Sequence, residues 1–270
     1  MKNQKVVLIT GASTGMGRSM AIFLAKQGYS VYAGSRTPEM LPTSPSGHIH
    51  PLALDITDAQ NVKDTISQIP QIDILINNAG YGLVSTVEDM SEEEMIAQFD
   101  INVFGLLRVT KSVIPIMRAG GGGVIINVSS FLGKIGLPLL TAYNSSKYAV
   151  EGITDSLRYE LRDFGIRVHS ILPGFFDTEF ARTNLVVNSK VFDEHSPYAD
   201  IVSTLAPTII EQINGGNDAN EVAKMAVDII EDSSYPARAT VGDKASKFIP
   251  MRRELSDEDF ERRVRESYSL

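Results

Sequence analysis

The chain contains no cysteine, so no disulfide framework and no thiolate metal site is possible. Histidine is scarce: His48, His50, His169 and His195 show no paired spacing with carboxylates that suggests a metal, and His48 and His50 flank Ile49 as alternating strand positions. Cations are outnumbered, 25 Lys and Arg against 33 Asp and Glu, and the resulting net charge of −8 argues against nucleic acid and against an anionic membrane surface as partners. Long apolar runs are also missing, as is a charged-then-apolar leader at the amino terminus. These absences predict a soluble, cytoplasmic, metal-free protein with a small-molecule partner. What is present is enough apolar residue, 43% of 270, to bury a sizeable core. With no internal repeat and no linker, residues 1–270 are expected to form a single domain.

Lys5 to Thr10 is a short β-branched apolar run that ends abruptly at glycine, the pattern of a buried parallel strand. Gly11-Ala12-Ser13-Thr14-Gly15-Met16-Gly17 follows, then a helical pattern from Arg18 to Gln27 closed by Gly28. A strand, a glycine turn and a helix N-terminus together form a cradle for a pyrophosphate. The spacing Gly-x-x-x-Gly-x-Gly is longer in its first gap than the general dinucleotide fingerprint.

Further along, Tyr143 and Lys147 lie four apart in a helical pattern and share one face. A free phenol, with a pKa of roughly 10, is a poor proton donor at neutral pH. A neighbouring ammonium favours the phenolate and is expected to lower that pKa into a useful range for general acid/base work. Ser130, thirteen residues upstream, offers a hydroxyl at the end of a strand. The pair alone occurs on many solvated helices, and it gains meaning from the dinucleotide site that the amino-terminal half builds independently.

Taken together, these motifs resemble the short-chain dehydrogenase/reductases of about 250 residues. Thr10 to Gly17 matches the family's cofactor motif, Asn77-Asn78-Ala79-Gly80 its Asn-Asn-Ala-Gly motif, and Asn102 its active-site asparagine. Ser130, Tyr143 and Lys147 match the catalytic serine, tyrosine and lysine, and Pro173-Gly174 with Thr178 the segment that holds the nicotinamide. The resemblance implies a Rossmann fold: a doubly wound parallel α/β sheet of about seven strands with helices on both faces. It implies hydride transfer between a nicotinamide and a ketone or alcohol, with Tyr143 as acid/base and Ser130 bonding the substrate oxygen. Lys147 would lower the tyrosine pKa and bond the cofactor ribose, and Asn102 would anchor a water leading from Lys147 to solvent. It further implies a homodimer or homotetramer. Within the family, the chain is similar to the 17β-hydroxysteroid and retinol dehydrogenase branch.

Cofactor choice is read from the end of the second strand, where an NAD enzyme carries Asp or Glu. Here Ser35 and Arg36 stand at that position, which favours NADP(H), with Ser13 as an additional contact to the 2′-phosphate. The cofactor-binding set is accordingly Gly11, Ser13, Thr14, Gly15, Met16, Gly17, Ser35, Arg36, Asp55, Ile56, Asn78, Ala79, Gly80, Tyr143, Lys147, Pro173, Gly174, Phe176 and Thr178. Phe131, Leu132, Leu137, Phe175 and Phe180 are expected to line an apolar substrate pocket suited to a steroid-, retinoid- or aryl-ketone-like molecule. Two rival functions would leave other marks in the sequence. An epimerase or dehydratase on the extended fold would carry Thr-Gly-x-x-Gly-x-x-Gly and a longer carboxyl-terminal domain. A non-catalytic NADP-sensing or scaffold protein would tolerate loss of Tyr143 or Lys147, and both are present.

Of the remaining elements, strands are expected at Val31–Ser35, Ile49–Leu54, Ile72–Ile76, Val124–Val128, Ile166–Leu172 and Ala239–Val241. Helices are expected from Thr57 to near Pro70, from Ser91 to Met117 with a bend near Pro115, at Thr141–Asp163 and at Glu221–Ile230. Thr37 to Gly47 reads as a loop, Phe175 to Asn220 as an irregular substrate-covering segment with short helices, and Ser256 to Ser267 as a solvated terminal helix.

Overall fold

The computed structural model describes residues 4–44, 47–180 and 184–270. In chain order the first half comprises β1 (Val6–Thr10), α1 (Gly15–Lys26), β2 (Ser30–Ser35), β3 (Ile49–Ala53), α2 (Ala59–Ser67), β4 (Ile74–Asn77), β5 (Gly82–Val84), α3 (Glu92–Phe99), α4 (Leu106–Ala119) and β6 (Gly123–Val128). The second half comprises α5 (Thr141–Glu160), β7 (Ile166–Pro173), β8 (Phe176–Asp177), β9 (Leu185–Val187), α6 (Ala199–Asn214), β10 (Asn217–Asp218), α7 (Ala219–Glu231), β11 (Arg238–Val241), α8 (Asp243–Glu254) and α9 (Asp257–Tyr268).

Seven strands form one sheet in the order β11-β7-β6-β4-β1-β2-β3, every pair parallel. The order reverses between β1 and β4, which opens a crevice at the carboxyl ends of those strands, where open parallel sheets bind ligands. Met20, Leu24, Val222 and Ile229 of α1 and α7 cover one face of the sheet. Ile66, Val113, Met117 and Leu157 of α2, α4 and α5 cover the other. A third apolar cluster lies outside the sheet and joins Leu132 and Leu137 to α6, α8 and α9.

The sheet and most helices follow the sequence pattern, and the exceptions have physical causes. The helix expected over Ser91–Met117 begins at a capping box, Ser91 accepting from Glu94 N while the Glu94 carboxylate accepts from Ser91 N. It is interrupted by a π turn at Asp100–Gly105, whereas α4 runs on through Pro115. An extra residue per turn at that point lets Asn102 point inward, and hydropathy periodicity carries no signal for it.

The segment 175–220 contains a sixteen-residue helix, α6, rather than short helices alone. Pro207 obscured it, yet Leu205, Ile209 and Ile213 recur at four-residue spacing and are buried. Residues 181–183 of that segment lie outside the described residues. The terminal helix α9 is not simply solvated: Phe260, Val264 and Tyr268 bury one face of it. Tyr268 stacks on Phe248 of α8 with centroids 6.1 Å apart, and Phe248 lies 6.3 Å from Phe131. Helix α8 itself and the short pairs β5–β9 and β8–β10 had no counterpart in the sequence reading.

Candidate active site

At the end of β1 the Thr10 hydroxyl accepts the backbone amides of Asn78 and Ala79, each at 3.0 Å. Asn78 Nδ2 answers by donating to the Thr10 and Gly11 carbonyls at 3.1 and 3.0 Å. The two loops at the switch point are thereby fastened together. Gly11 has φ +65°, and a Cβ there would lie 2.7 Å from Ala79 Cα. A Cβ on Gly17 would collide with the Gly11 carbonyl and Asn78 Nδ2. These glycines are required by close approach of backbone to backbone. Gly17 does not line the cleft, so its part in the cofactor motif is to let the turn close.

The cleft beyond this turn is walled by Gly11, Ser13, Thr14, Gly15 and Met16, by Ser35 and Arg36, by Asp55 and Ile56, by Asn78, Ala79 and Gly80, and by Tyr143 and Lys147. All of these were expected from the sequence. Thr37, Tyr81 and Val128 also line it and were missed; they directly follow or precede motif residues, which was the available signal. Helix α1 opens with no side-chain cap on its N-terminus and no acidic residue in its first turn. Its amides and dipole therefore remain available to an anion, which fits a dinucleotide pyrophosphate. At the end of β2 no carboxylate is present. The Ser35 hydroxyl is already bonded to Thr37, accepting its amide at 3.1 Å. Asp55 holds Thr57 through its amide and hydroxyl, at 2.9 and 2.7 Å. Its carboxyl is held below the usual range: burial pushes it up, but the Thr57 bonds and the nearby Arg36 and Arg108 outweigh that.

A second cavity lies on the other side of Tyr143. Phe131, Leu132, Phe175 and Phe180 line it as expected, together with Ile209 and Ile213 of α6. Among the described residues no Asp, Glu, Lys, Arg or His lines it. Leu137 is a correction. It is packed into the third apolar cluster and is not among the residues lining the cavity; its carbonyl accepts Asn144 Nδ2 at 2.9 Å. Pro173, Gly174 and Phe176, expected to contact the cofactor, line this cavity, along whose wall the chain leaving β7 runs. Met16, Ser129, Tyr143, Thr178 and Phe180 border both spaces.

Tyr143 stands at this junction, half-buried, on the first turn of α5. Burial pushes its phenol up to about 12, opposed by a hydrogen bond with the Ser130 side chain. That differs from the expected depression by Lys147: loss of solvent dominates, the Ser130 bond is what opposes it, and the ring centroid lies 5.7 Å from Lys147 Nζ. Lys147 is itself buried, its Nζ donating to the Val128 carbonyl at 2.9 Å, and burial lowers its pKa to about 8. Ser130 also accepts the Leu132 amide at 3.1 Å, which fixes its hydroxyl at the end of β6.

Asn102 lines neither cavity. Its Nδ2 donates to the Tyr81 carbonyl and to Ser146 Oγ, both at 3.0 Å, and its Oδ1 accepts the Tyr81 amide. Ser146 passes this on by donating to the Tyr143 carbonyl at 2.7 Å. A Cβ on Gly80 would sit 3.1 Å from Asn102 Oδ1 and 3.8 Å from Lys147 Nζ, so the missing side chain keeps a gap between these two groups. Among the described residues no cluster of His, Asp or Glu could hold a metal, and no helix is long and apolar enough to cross a membrane.

A nucleotide cleft and an apolar chamber that meet at a half-buried tyrosine beside a buried lysine define a dehydrogenase or reductase of the Rossmann type. The short chain dehydrogenase family model matches residues 5–185, and the chain belongs to that family. It is 37% identical over 250 residues to the uncharacterized oxidoreductase YusZ of Bacillus subtilis, covering 87% of this chain and 89% of that one. It is 34% identical over 242 residues to a 3-ketodihydrosphingosine reductase of Bacteroides thetaiotaomicron, covering 88% of each. A short chain dehydrogenase from Burkholderia cenocepacia in complex with NADP superposes with a TM-score of 0.77 at 27% identity, over 97% of both chains.

Proposed function

We propose that the protein is an NADP(H)-dependent carbonyl reductase, reversible as an alcohol dehydrogenase, for ketones or secondary alcohols with apolar substituents. The observation that carries this is the meeting at Tyr143 of the polar cleft and a chamber lined, among the described residues, without any charged side chain, with Lys147 on the cleft side and Ser130 on the chamber side. The uncapped start of α1 would hold the pyrophosphate, and Arg36, with no carboxylate at the end of β2, would bond a 2′-phosphate. NADPH, when bound, supplies the hydride that reduces the carbonyl carbon.

The chain's own residues do the remainder. Ser130 holds the carbonyl oxygen beside the phenol, and Tyr143, fully protonated at neutral pH, donates its proton to the oxygen as charge develops on it. Lys147 stabilises the resulting phenolate with its ammonium. Asn102 Oδ1 and Lys147 Nζ both lie near Gly80, and a water anchored by Asn102 would replace the proton from solvent by way of Lys147. In oxidation the same groups run in reverse. The chamber's lining accepts apolar surface and offers no partner for a charged one, which favours uncharged steroid-, retinoid- or aryl-ketone-like molecules. One relative is named for reduction of a keto group, which favours the reducing direction.

Assembly as a homodimer or homotetramer is part of the reading. Phe104 and Leu107 at the start of α4 and Tyr148 and Tyr159 on α5 are exposed large apolar side chains on neighbouring helices. A cytoplasmic location fits the absence of cysteine and the acidic charge. The deciding experiment follows NADPH and NADH absorbance with a panel of apolar ketones. Turnover with NADPH exceeding that with NADH supports the reading; binding of NADPH with no turnover of any ketone would favour a sensing protein instead.

A further inference from the structure

Glu151 lies on α5 one helical turn beyond Lys147 and is 3% exposed. Its Oε2 accepts Arg238 Nε at 2.6 Å and Lys134 Nζ at 3.0 Å, while Oε1 is buried without a partner. Arg238, the first residue of β11, reaches both oxygens of Asp155 at 2.7 Å with its other arm. Lys134 ends the turn that Ser130 begins. One carboxylate thus ties together the helix bearing Tyr143 and Lys147, the turn bearing Ser130, and the edge of the sheet.

Packing reinforces the connection. A Cβ at Gly133 in that turn would lie 2.8 Å from Ser129 Oγ, 3.0 Å from the Lys147 carbonyl and 3.2 Å from Glu151 Cγ. The Ser130 turn is therefore pressed onto the same turn of α5 that joins Lys147 to Glu151. A buried ion pair is weak evidence for stability, since apolar replacement is often neutral or stabilising. Its placement here, one turn from the site's buried ammonium, calls for another explanation.

We propose that Glu151 is a positioning residue of the active site: with Lys134 and Arg238 it clamps the Ser130 turn to the Tyr143–Lys147 helix, and its charge holds Lys147 in the ammonium form. Burial draws the lysine pKa down, and Glu151 is the charge that opposes this. The other groups facing Lys147 are Tyr143 on its own helix, the neutral Val128 carbonyl of β6 and the Asn102 amide. Tyr81, Asp55, Glu93, Glu94 and Arg36 stand on the further walls of the cleft. The inference rests on reading Tyr143 and Lys147 as the proton-transfer pair, and its first measurement is independent of turnover.

The full chain, carrying 13C at lysine Cε, is titrated by NMR, with Lys147→Met identifying the Lys147 signal. Glu151→Gln keeps the side chain's shape and should lower the Lys147 midpoint by about 0.5 pH unit or more. Arg238→Met removes the compensating cation and should raise it. With NADPH and a ketone that the unmodified protein turns over, the alkaline limb of kcat/KM should move in the same two directions. Should Glu151→Gln fail to fold, Lys134→Met and Arg238→Met, at side chains 30% and 24% exposed, must both raise the midpoint. Midpoints unchanged in the folded variants, with only Tm lowered, overturn the proposal. A midpoint that responds as stated in a protein that turns over no ketone supports the clamp and instead removes the proposed reductase function.

Discussion

The cleft and the chamber that meet at Tyr143 are built on different physical terms. The cleft is walled by turns at strand ends, and its shape is set by directional bonds: Thr10 to the Asn78 and Ala79 amides, Asn78 back to the Gly11 carbonyl, Asn102 to both sides of Tyr81. Each bond requires a particular donor or acceptor, because a buried polar group left without a partner is costly. The chamber is walled by Leu, Ile, Val and Phe side chains from α6, the short strands and the turn after Ser130. Apolar packing is non-directional, so many residue combinations fill the same wall. On the proposed function the first region would fix what chemistry is done and the second what molecule it is done to, and the two should be separable by mutation.

The largest expected effect lies at their junction. Tyr143→Phe keeps the ring that borders both spaces but removes the proton, and kcat should fall by ~10²–10⁴ while NADPH affinity stays nearly constant. Single-turnover kinetics alongside a cofactor titration checks this; retention of more than about a tenth of kcat excludes Tyr143 as the acid. On the cleft side alone, Arg36→Ala removes a charge-assisted bond worth ~1.5–3 kcal/mol and should cost about ten- to a hundredfold in NADPH preference. NADH kinetics should be untouched, and equal losses with both cofactors would place Arg36 outside phosphate recognition.

On the chamber side alone, Ile209→Ala should lower kcat/KM for a well-fitting apolar ketone by roughly tenfold, the usual worth of a few methylenes in an apolar pocket. Its signature is an unchanged NADPH Kd; a parallel loss of cofactor binding would show that the two regions are mechanically one. The mildest effect is the response to pH near neutrality. Lys147 is charged below its value of about 8 and Tyr143 stays protonated to about 12. Carbonyl reduction should therefore be level at neutral pH and decline as pH rises through about 8, while a decline starting only near 10 would mean that Lys147 does not control it.

The same contrast explains what could be read before the fold was known. Thr10, Asn78, Gly11 and Gly17 were legible because directional bonds and close backbone approaches restrict residue type at fixed spacings. Ile209 and Ile213 were not, because an apolar residue at helical spacing looks alike whether it fills a core or lines a cavity, and Pro207 argued against a helix there. Leu137 shows the converse: an apolar residue close in chain to Ser130 packs into the third cluster, and closeness in sequence does not tell a core side chain from a lining one. Asn102 was recognised as a site residue, but its action through Ser146 depends on a π turn that leaves no mark in hydropathy. The phenol's raised pKa was also missed, since burial is a property of the folded environment that neighbouring residue types do not reveal.

The stack of Tyr268 on Phe248, itself set against Phe131, has a consequence for how the protein comes into being. During synthesis the motifs of the nucleotide cleft are complete once Thr178 has been added, and the sheet strands from β1 to β7 can already pair. The back of the chamber must wait ninety residues longer, until Tyr268 arrives. In that interval Phe131, beside Ser130, has Phe175 against it but lacks Phe248, the ring that the finished molecule adds behind it. A nascent chain would thus carry a formed cofactor half and an open apolar surface, a species that chaperones recognise and aggregation exploits. The ribosome, releasing the chain in order, delivers the machinery for chemistry before the walls that decide which molecule reaches it.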